Sequence, residues 1–166
     1  MRASVLFILI AALLGAACSS QPDKVVRPIA AAQDVVEVGT PQMYGQWQWT
    51  VLAYSREKSL AGGGQSLAPH GLFLLVEMSL TNLAIKPASF DDYVFFRIQD
   101  GQHRAYLMDK AGSEVAAGAR GLPPHGVDVP AGGTLHTIIA FDIASDAQDL
   151  VLSEETRGEG PVRLGR

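Results

Sequence analysis

The chain has 166 residues, 48% of them hydrophobic, with 13 Lys+Arg against 17 Asp+Glu and a formal net charge of −4. That length suits one domain with extensions, and the acidic balance leaves no basic stripe to neutralise phosphates, which argues against nucleic-acid binding. The single cysteine, Cys18, excludes an intramolecular disulfide, so any fold must stand on packing alone.

Residues 1–18 read as an export signal rather than as fold. Arg2 supplies a small positive start and Ala3 to Leu14 an apolar run too short to span a bilayer comfortably. Gly15-Ala16-Ala17-Cys18 then resembles the lipobox of bacterial lipoproteins, in which the peptide is cut before the cysteine and the cysteine is lipidated. The pattern departs at Gly15, where Leu is usual; Leu14 stands one position earlier. The alternative is an ordinary secretory signal cleaved near Ala17, leaving a free thiol. Cleavage before Cys18 removes 17 of the 166 residues and one cation, Arg2, which takes the formal charge from −4 to −5. Residues 18–34 are then the lipidated cysteine and a flexible tether, polar at first and Ala-rich at Ala30 to Ala32. Ser19, not Asp, follows the cysteine. By the sorting rule of many such bacteria, this favours the outer membrane if the host has two.

From residue 35 the pattern is that of strands. Val35 to Val38 is a short first strand, closed by Gly39-Thr40-Pro41. Gly45 to Ser55 alternates, with Trp47, Trp49, Val51 and Ala53 on one face; the tryptophan pair fits the inner face of a sandwich. Leu60 to Pro69 reads as a loop. Its Gly62-Gly63-Gly64 lacks the Gly-Lys-Ser/Thr and the following helix that a phosphate cradle needs. Leu72 to Asn82 is the central strand: Leu74, Val76, Met78 and Leu80 share one face, and Phe73 and Leu75 make the other apolar at its start, so both faces should be covered. Asn82 ends it as a turn residue.

Val94 to Gln99 and His103 to Met108 form the next pair, joined through Asp100-Gly101. Ala111 to Pro130, rich in Gly, Ala and Pro, reads as a long surface loop and a candidate functional surface. Thr134 to Ile143 places Leu135, Thr137, Ile139 and Phe141 inward. Leu150-Val151-Leu152 and Val162 to Leu164 complete the strands. Seven or eight short strands with regular turns indicate an all-β fold, an immunoglobulin-like two-sheet β-sandwich over residues 35–166.

Several stretches together resemble a bacterial exported family, domain of unknown function 4352. They are Trp47-Gln48-Trp49-Thr50-Val51, Phe73 to Asn82, Phe95 to Gly101 with Tyr106, the Pro130-Ala131-Gly132-Gly133 turn, Ala140-Phe141-Asp142-Ile143 and Leu150-Val151-Leu152. The resemblance covers roughly residues 35–164. It implies an immunoglobulin-like sandwich, often on lipoprotein or secreted chains and related in fold to a mycobacterial secreted antigen. It implies no catalytic residues.

Read for chemistry, the residues are sparse. His70, His103, His125 and His136 lack the convergent N and S ligands of a zinc or copper site and read as solvated surface histidines. Asp91-Asp92 and Asp100 could serve a calcium site, but turn formation explains them more simply. Glu154-Glu155 reads as a solvated charge pair. No Gly-x-Ser-x-Gly is present. The expectation is therefore no catalytic residue, no metal and no cofactor: a non-catalytic interaction module, anchored by lipid on Cys18 and presented to a protein or envelope partner. The competing reading is a periplasmic small-ligand or metal-binding protein.

Overall fold

The computed structural model describes residues 35–90, 96–154 and 161–165. In chain order the elements are β1 (Val36–Glu37), β2 (Gln42–Tyr44), β3 (Trp47–Glu57), β4 (Leu60–Gly62), β5 (Gln65–Leu67), β6 (Leu72–Asn82) and β7 (Ala88–Ser89). There follow β8 (Phe96–Gln99), β9 (Ala105–Asp109), α1 (Lys110–Ala119), β10 (Asp128–Val129), β11 (Thr134–Ile143), β12 (Val151–Glu154) and β13 (Val162–Arg163). The fold is all-β in character, a β-sandwich with one short helix, as the alternation indicates.

Nine strands hydrogen-bond in the order β1-β13-β12-β8-β9-β11-β6-β3-β2. They form two leaves because β9 changes partner along its length. Its first part pairs with β8, through Gln99↔Ala105 to Arg97↔Leu107, and its last two residues pair with β11, through Phe141↔Met108 and Ala140↔Asp109. A strand that switches sheets in this way turns the corner of a sandwich. The core lies between the leaves: Trp49, Val51, Val76, Met78, Ile139 and Phe141 from one meet Phe96, Ile98, Leu152 and Val162 from the other. Trp49 meets Phe96 edge-on at 5.0 Å, and Phe90 stands edge-on to Trp47 at 5.2 Å, geometries that suit the ring quadrupoles.

β6 occupies its expected bounds and lies between β11 and β3. Its second face is covered as well. Phe73 and Leu75 pack with Ile138, Ala140, Leu60, Val115 and Ala116 in a smaller cluster beneath α1. Here the structure corrects the reading of residues 111–130 as a surface loop. Residues 110–119 are helical, started by Asp109, whose Oδ1 accepts from the Gly112 N–H at 2.8 Å. Ser113 Oγ donates to the Asp109 carbonyl at 2.6 Å and accepts from the Ala140 N–H at 2.9 Å, which fastens the helix to β11.

Two other expectations are corrected. Residues 60–67 are a hairpin, not a loop, turned by Gly63 and Gly64 at φ 58° and 77°. Positive φ at both turn positions matches the twist of the flanking strands and needs glycine. Ala53 is exposed rather than inward. The β3–β6 register slips between Val51 and Ala53, so an extra residue enters the strand and everything beyond it changes face. Of the Val94 to Gln99 strand, Phe96–Gln99 is described; residues 94 and 95 lie outside the described residues.

Candidate functional site

The two ends of the sandwich differ. At the end where β6 begins, the approach to β6 from β5, the β8–β9 connection and the segment after β11 come together, and polar side chains collect there. Asp142 projects from the penultimate position of β11. Its carboxylate accepts from the His70 N–H at 2.9 Å, the His70 ring Nδ1 at 2.7 Å and the Gly71 N–H at 3.3 Å. Burial pushes this carboxyl up, but the His70 and Gly71 donors outweigh it and hold it below its ordinary value of 3.8. The His70 ring is otherwise fully open to solvent.

Beside this pair, Asp100 organises the β8–β9 turn. Its side chain is buried and accepts from the Gln102 N–H at 3.0 Å, the Arg104 N–H at 2.9 Å, Arg104 Nε at 2.6 Å and the Tyr106 hydroxyl at 2.9 Å. Burial raises the Asp100 carboxyl, and the Arg104 contacts, the Tyr106 hydroxyl and the Gln102 N–H together bring it below 3.8. Burial first, and then the bond to Asp100, push Tyr106 up, so the phenol stays neutral. Arg104 Nη1 also reaches Asp146 at 2.9 Å. The turn role assigned to Asp100 from the sequence is therefore correct, though the connection runs through His103 at φ 63° and is longer than a two-residue hairpin.

Between the two networks lies an open cleft of about 370 Å³ lined by His70, Gly71, Tyr106, Asp142, Ile143, Ala144 and Ser145. It offers an imidazole, a hydroxyl and a carboxylate over an apolar floor, a donor set that can hold a small polar ligand or a partner's side chain. Gly71 forms its back wall. A Cβ there would clash with the Ile143 carbonyl and sit 2.8 Å from the Ser145 nitrogen. Gly71→Ala is expected to lower the thermal midpoint and to disturb the His70 imidazole resonances, read by NMR. An unchanged spectrum would mean that the backbone is not held this closely.

Both carboxylates have folded-state values below those of the unfolded chain. Their contribution is therefore present above pH 3.8 and is lost as pH falls through the folded values. Urea midpoints are expected to drop below about pH 4, with a shallower fall in Asp142→Asn. A flat wild-type profile over that range would contradict this linkage.

The other sequence candidates scatter. His136 is exposed on β11 and His103 sits in the turn, whereas His125 is buried, contrary to its reading as a surface histidine. Glu154 is likewise buried at the end of β12, so it is not a solvated charge; its neighbour at 155, like residues 91 and 92 and Cys18, lies outside the described residues. Among the described residues no group of three or more His, Cys, Asp or Glu could hold a metal ion. No described helix is long and apolar enough to cross a membrane. The role of Asp142 was missed, although one signal was present: a lone carboxylate following the apolar run Ile138 to Phe141 of β11.

No family model matches the chain, and no curated protein does. Solved structures do. A conserved hypothetical protein from Bacillus anthracis aligns with a TM-score of 0.62 at 13% identity, over 78% of this chain and 94% of that one. An uncharacterized β-sandwich protein from Clostridium difficile aligns at 0.54 and 10% identity, over 80% and 95%. The secreted protein MPT63 of Mycobacterium tuberculosis aligns at 0.52 and 14% identity, over 82% and 100%. The likeness is one of fold. It agrees with the sandwich, and with the relation to a mycobacterial secreted protein, that the strand pattern and the resemblance implied.

Proposed function

We propose that the chain is an extracytoplasmic lipoprotein, anchored through Cys18, whose sandwich is a non-catalytic interaction module for a protein or envelope partner. The observation that carries the binding role is the cleft between His70, Tyr106 and Asp142, held by two prearranged hydrogen-bond networks at one end of the fold. Preorganised polar groups bind with little ordering cost. Supporting the address are the apolar leader with small residues before the only cysteine, the resemblance to exported chains of domain of unknown function 4352, and the fold shared with a secreted protein. The test is crosslinking in the native cell with identification of what is joined. A Ser145→Cys or His70→Cys photoprobe should capture a discrete envelope component, and probes that capture only random neighbours would sink the module reading.

The cleft also favours a second reading, a small-ligand protein of the cell exterior. Native mass spectrometry of protein taken from its own cells separates the two: a stoichiometric bound small molecule supports the second. Elemental analysis after metal exposure and dialysis tests the metal variant.

Anchoring predicts a large shift of location. One acyl chain gives marginal binding and two give stable anchoring, so Cys18→Ala should move the protein out of the detergent-soluble membrane fraction, as a soluble form or an uncleaved precursor. Mass spectrometry of the native N-terminus should find residues 1–17 gone and the cysteine acylated. An unmodified thiol on a freely soluble chain would refute lipidation and leave plain secretion.

A further inference from the structure

The polar groups around the cleft differ in what they can still do. The His70 N–H, the Gly71 N–H and the His70 ring Nδ1 all bond to Asp142. An ionised carboxylate only accepts, so Nδ1 carries the hydrogen, and in the neutral ring Nε2 keeps a lone pair. The Tyr106 hydroxyl donates to Asp100 and takes the Ala144 N–H. These donors are all engaged within the protein, and acceptor capacity is left over. A carboxylate has about four acceptor positions, and three donor groups occupy Asp142. Its side chain is 23% exposed, so a ligand can reach the remaining position.

The charge of the lining agrees. Asp142 is its one carboxylate, and among the described residues no lysine or arginine lines the cleft. Two arginines of this end are turned onto other acceptors. Arg104 reaches Asp100 through Nε and Asp146 through Nη1, and Arg56 donates through Nη2 to the Ala147 carbonyl at 2.8 Å. Arg104 Nη2 has no partner among the described residues, but it is closed to solvent and so to a ligand. Lys58 and Arg163 belong to this end without lining the cleft. Ile143 and Ala144 give an apolar floor along which an alkyl stem can lie with its charged head at the carboxylate. One free position suits a point charge. A guanidinium prefers two parallel bonds to one carboxylate, which the backbone and ring donors on Asp142 already block.

We infer that the cleft receives a primary alkylammonium group, its charge against Asp142 and its stem over Ile143 and Ala144. This deepens the binding role proposed above and rests on it. An ammonium brings three donors and no acceptor, the complement of what the cleft leaves open. His70 Nε2 and the Ser145 hydroxyl stand in the same cleft as further acceptors. A partner's lysine side chain and a small free amine share this chemistry.

The test titrates n-butylamine, sodium butyrate and guanidinium chloride into the purified full chain near neutral pH and at matched ionic strength. The readout is the carboxyl carbon resonance of Asp142. Butylamine should shift it saturably. Butyrate should leave it in place, and guanidinium should bind more weakly by about tenfold or more. Asp142→Asn should weaken butylamine by a similar factor, read at the His70 imidazole. The comparison of amine with butyrate needs no variant, so it decides even if Asp142→Asn folds poorly. No saturable shift with butylamine, or equal binding of butyrate or guanidinium, overturns the inference. In the cell, an amine found bound by native mass spectrometry assigns the group to a small molecule. Loss of the crosslinked component after acetylation of its lysines assigns it to a protein. Undiminished capture of that component by the Ser145→Cys probe after acetylation overturns the inference and leaves the interaction module standing.

Discussion

Val76→Asp is expected to destabilise the fold by more than about 4 kcal/mol. Val76 is fully buried in β6, opposite Tyr54 on β3 and Ile139 on β11, with its side chain in the core between the leaves. An aspartate there has either to ionise without a partner or to take up a proton, and both cost several kcal/mol. Set against a typical stability of about 5–15 kcal/mol, a loss above about 4 kcal/mol removes most of the stability of a domain at the low end of that range. Val76→Ala should cost about 2 kcal/mol and leave a measurable two-state transition. Urea unfolding followed by tryptophan emission reads both, because Trp47 and Trp49 lie in the same core. A wild-type midpoint in Val76→Asp would mean that the faces of β6 are reversed.

The second large effect is expected at Asp100. Removing its buried carboxylate takes the acceptor from two backbone N–H groups, the Tyr106 hydroxyl and one edge of Arg104, all part-buried. Unmet donors cost up to about 1–3 kcal/mol each, less where water reaches them. Arg104 retains Asp146 and the groups share one network, so the losses will not add. Asp100→Ala should therefore destabilise by about 3 kcal/mol. Asp100→Asn separates two components. Its Oδ1 still accepts from the turn N–H groups, but an amide NH₂ replaces the oxygen that receives Arg104 Nε and the Tyr106 hydroxyl. The phenol can turn to accept; the guanidinium has no lone pair with which to do so. The asparagine variant should fall between wild type and Asp100→Ala, and Tyr106→Phe should cost about 1 kcal/mol. If Asp100→Ala unfolds at the wild-type urea midpoint, the network contributes nothing net.

The residues that were legible share a physical feature: their pattern is set by a period along the chain. Trp47 to Val51, Leu72 to Asn82 and Thr134 to Ile143 each alternate because one strand face meets the inter-leaf core, and that alternation needs no knowledge of the partner strand. The sandwich follows from several such segments and the turns between them. The candidate site was legible only in fragments. Asp100 could be read as a turn former because its partners are two, four and six residues away. Asp142 could not be paired with His70, which is 72 residues earlier.

What the sequence by itself determined is thus local: strand identity, the inward faces of β6 and β11, and an all-β class. Tertiary structure decided the rest. Residues 110–119 hold Gly112 and Gly118, which disfavour a helix, and few strongly apolar residues. They are helical because Gly112 lets the backbone approach Phe73 and Ala140, and Ser113 supplies the Ala140 N–H with an acceptor. The slip after Val51 turns Ala53 outward through a mismatch between two strands, which neither strand records alone. Asn82 looked like a strand terminator. Its amide, buried in the finished fold, instead shapes the loop that carries Ile85, because the carbonyls it satisfies come from residues 86 and 129 and meet only when both are in place.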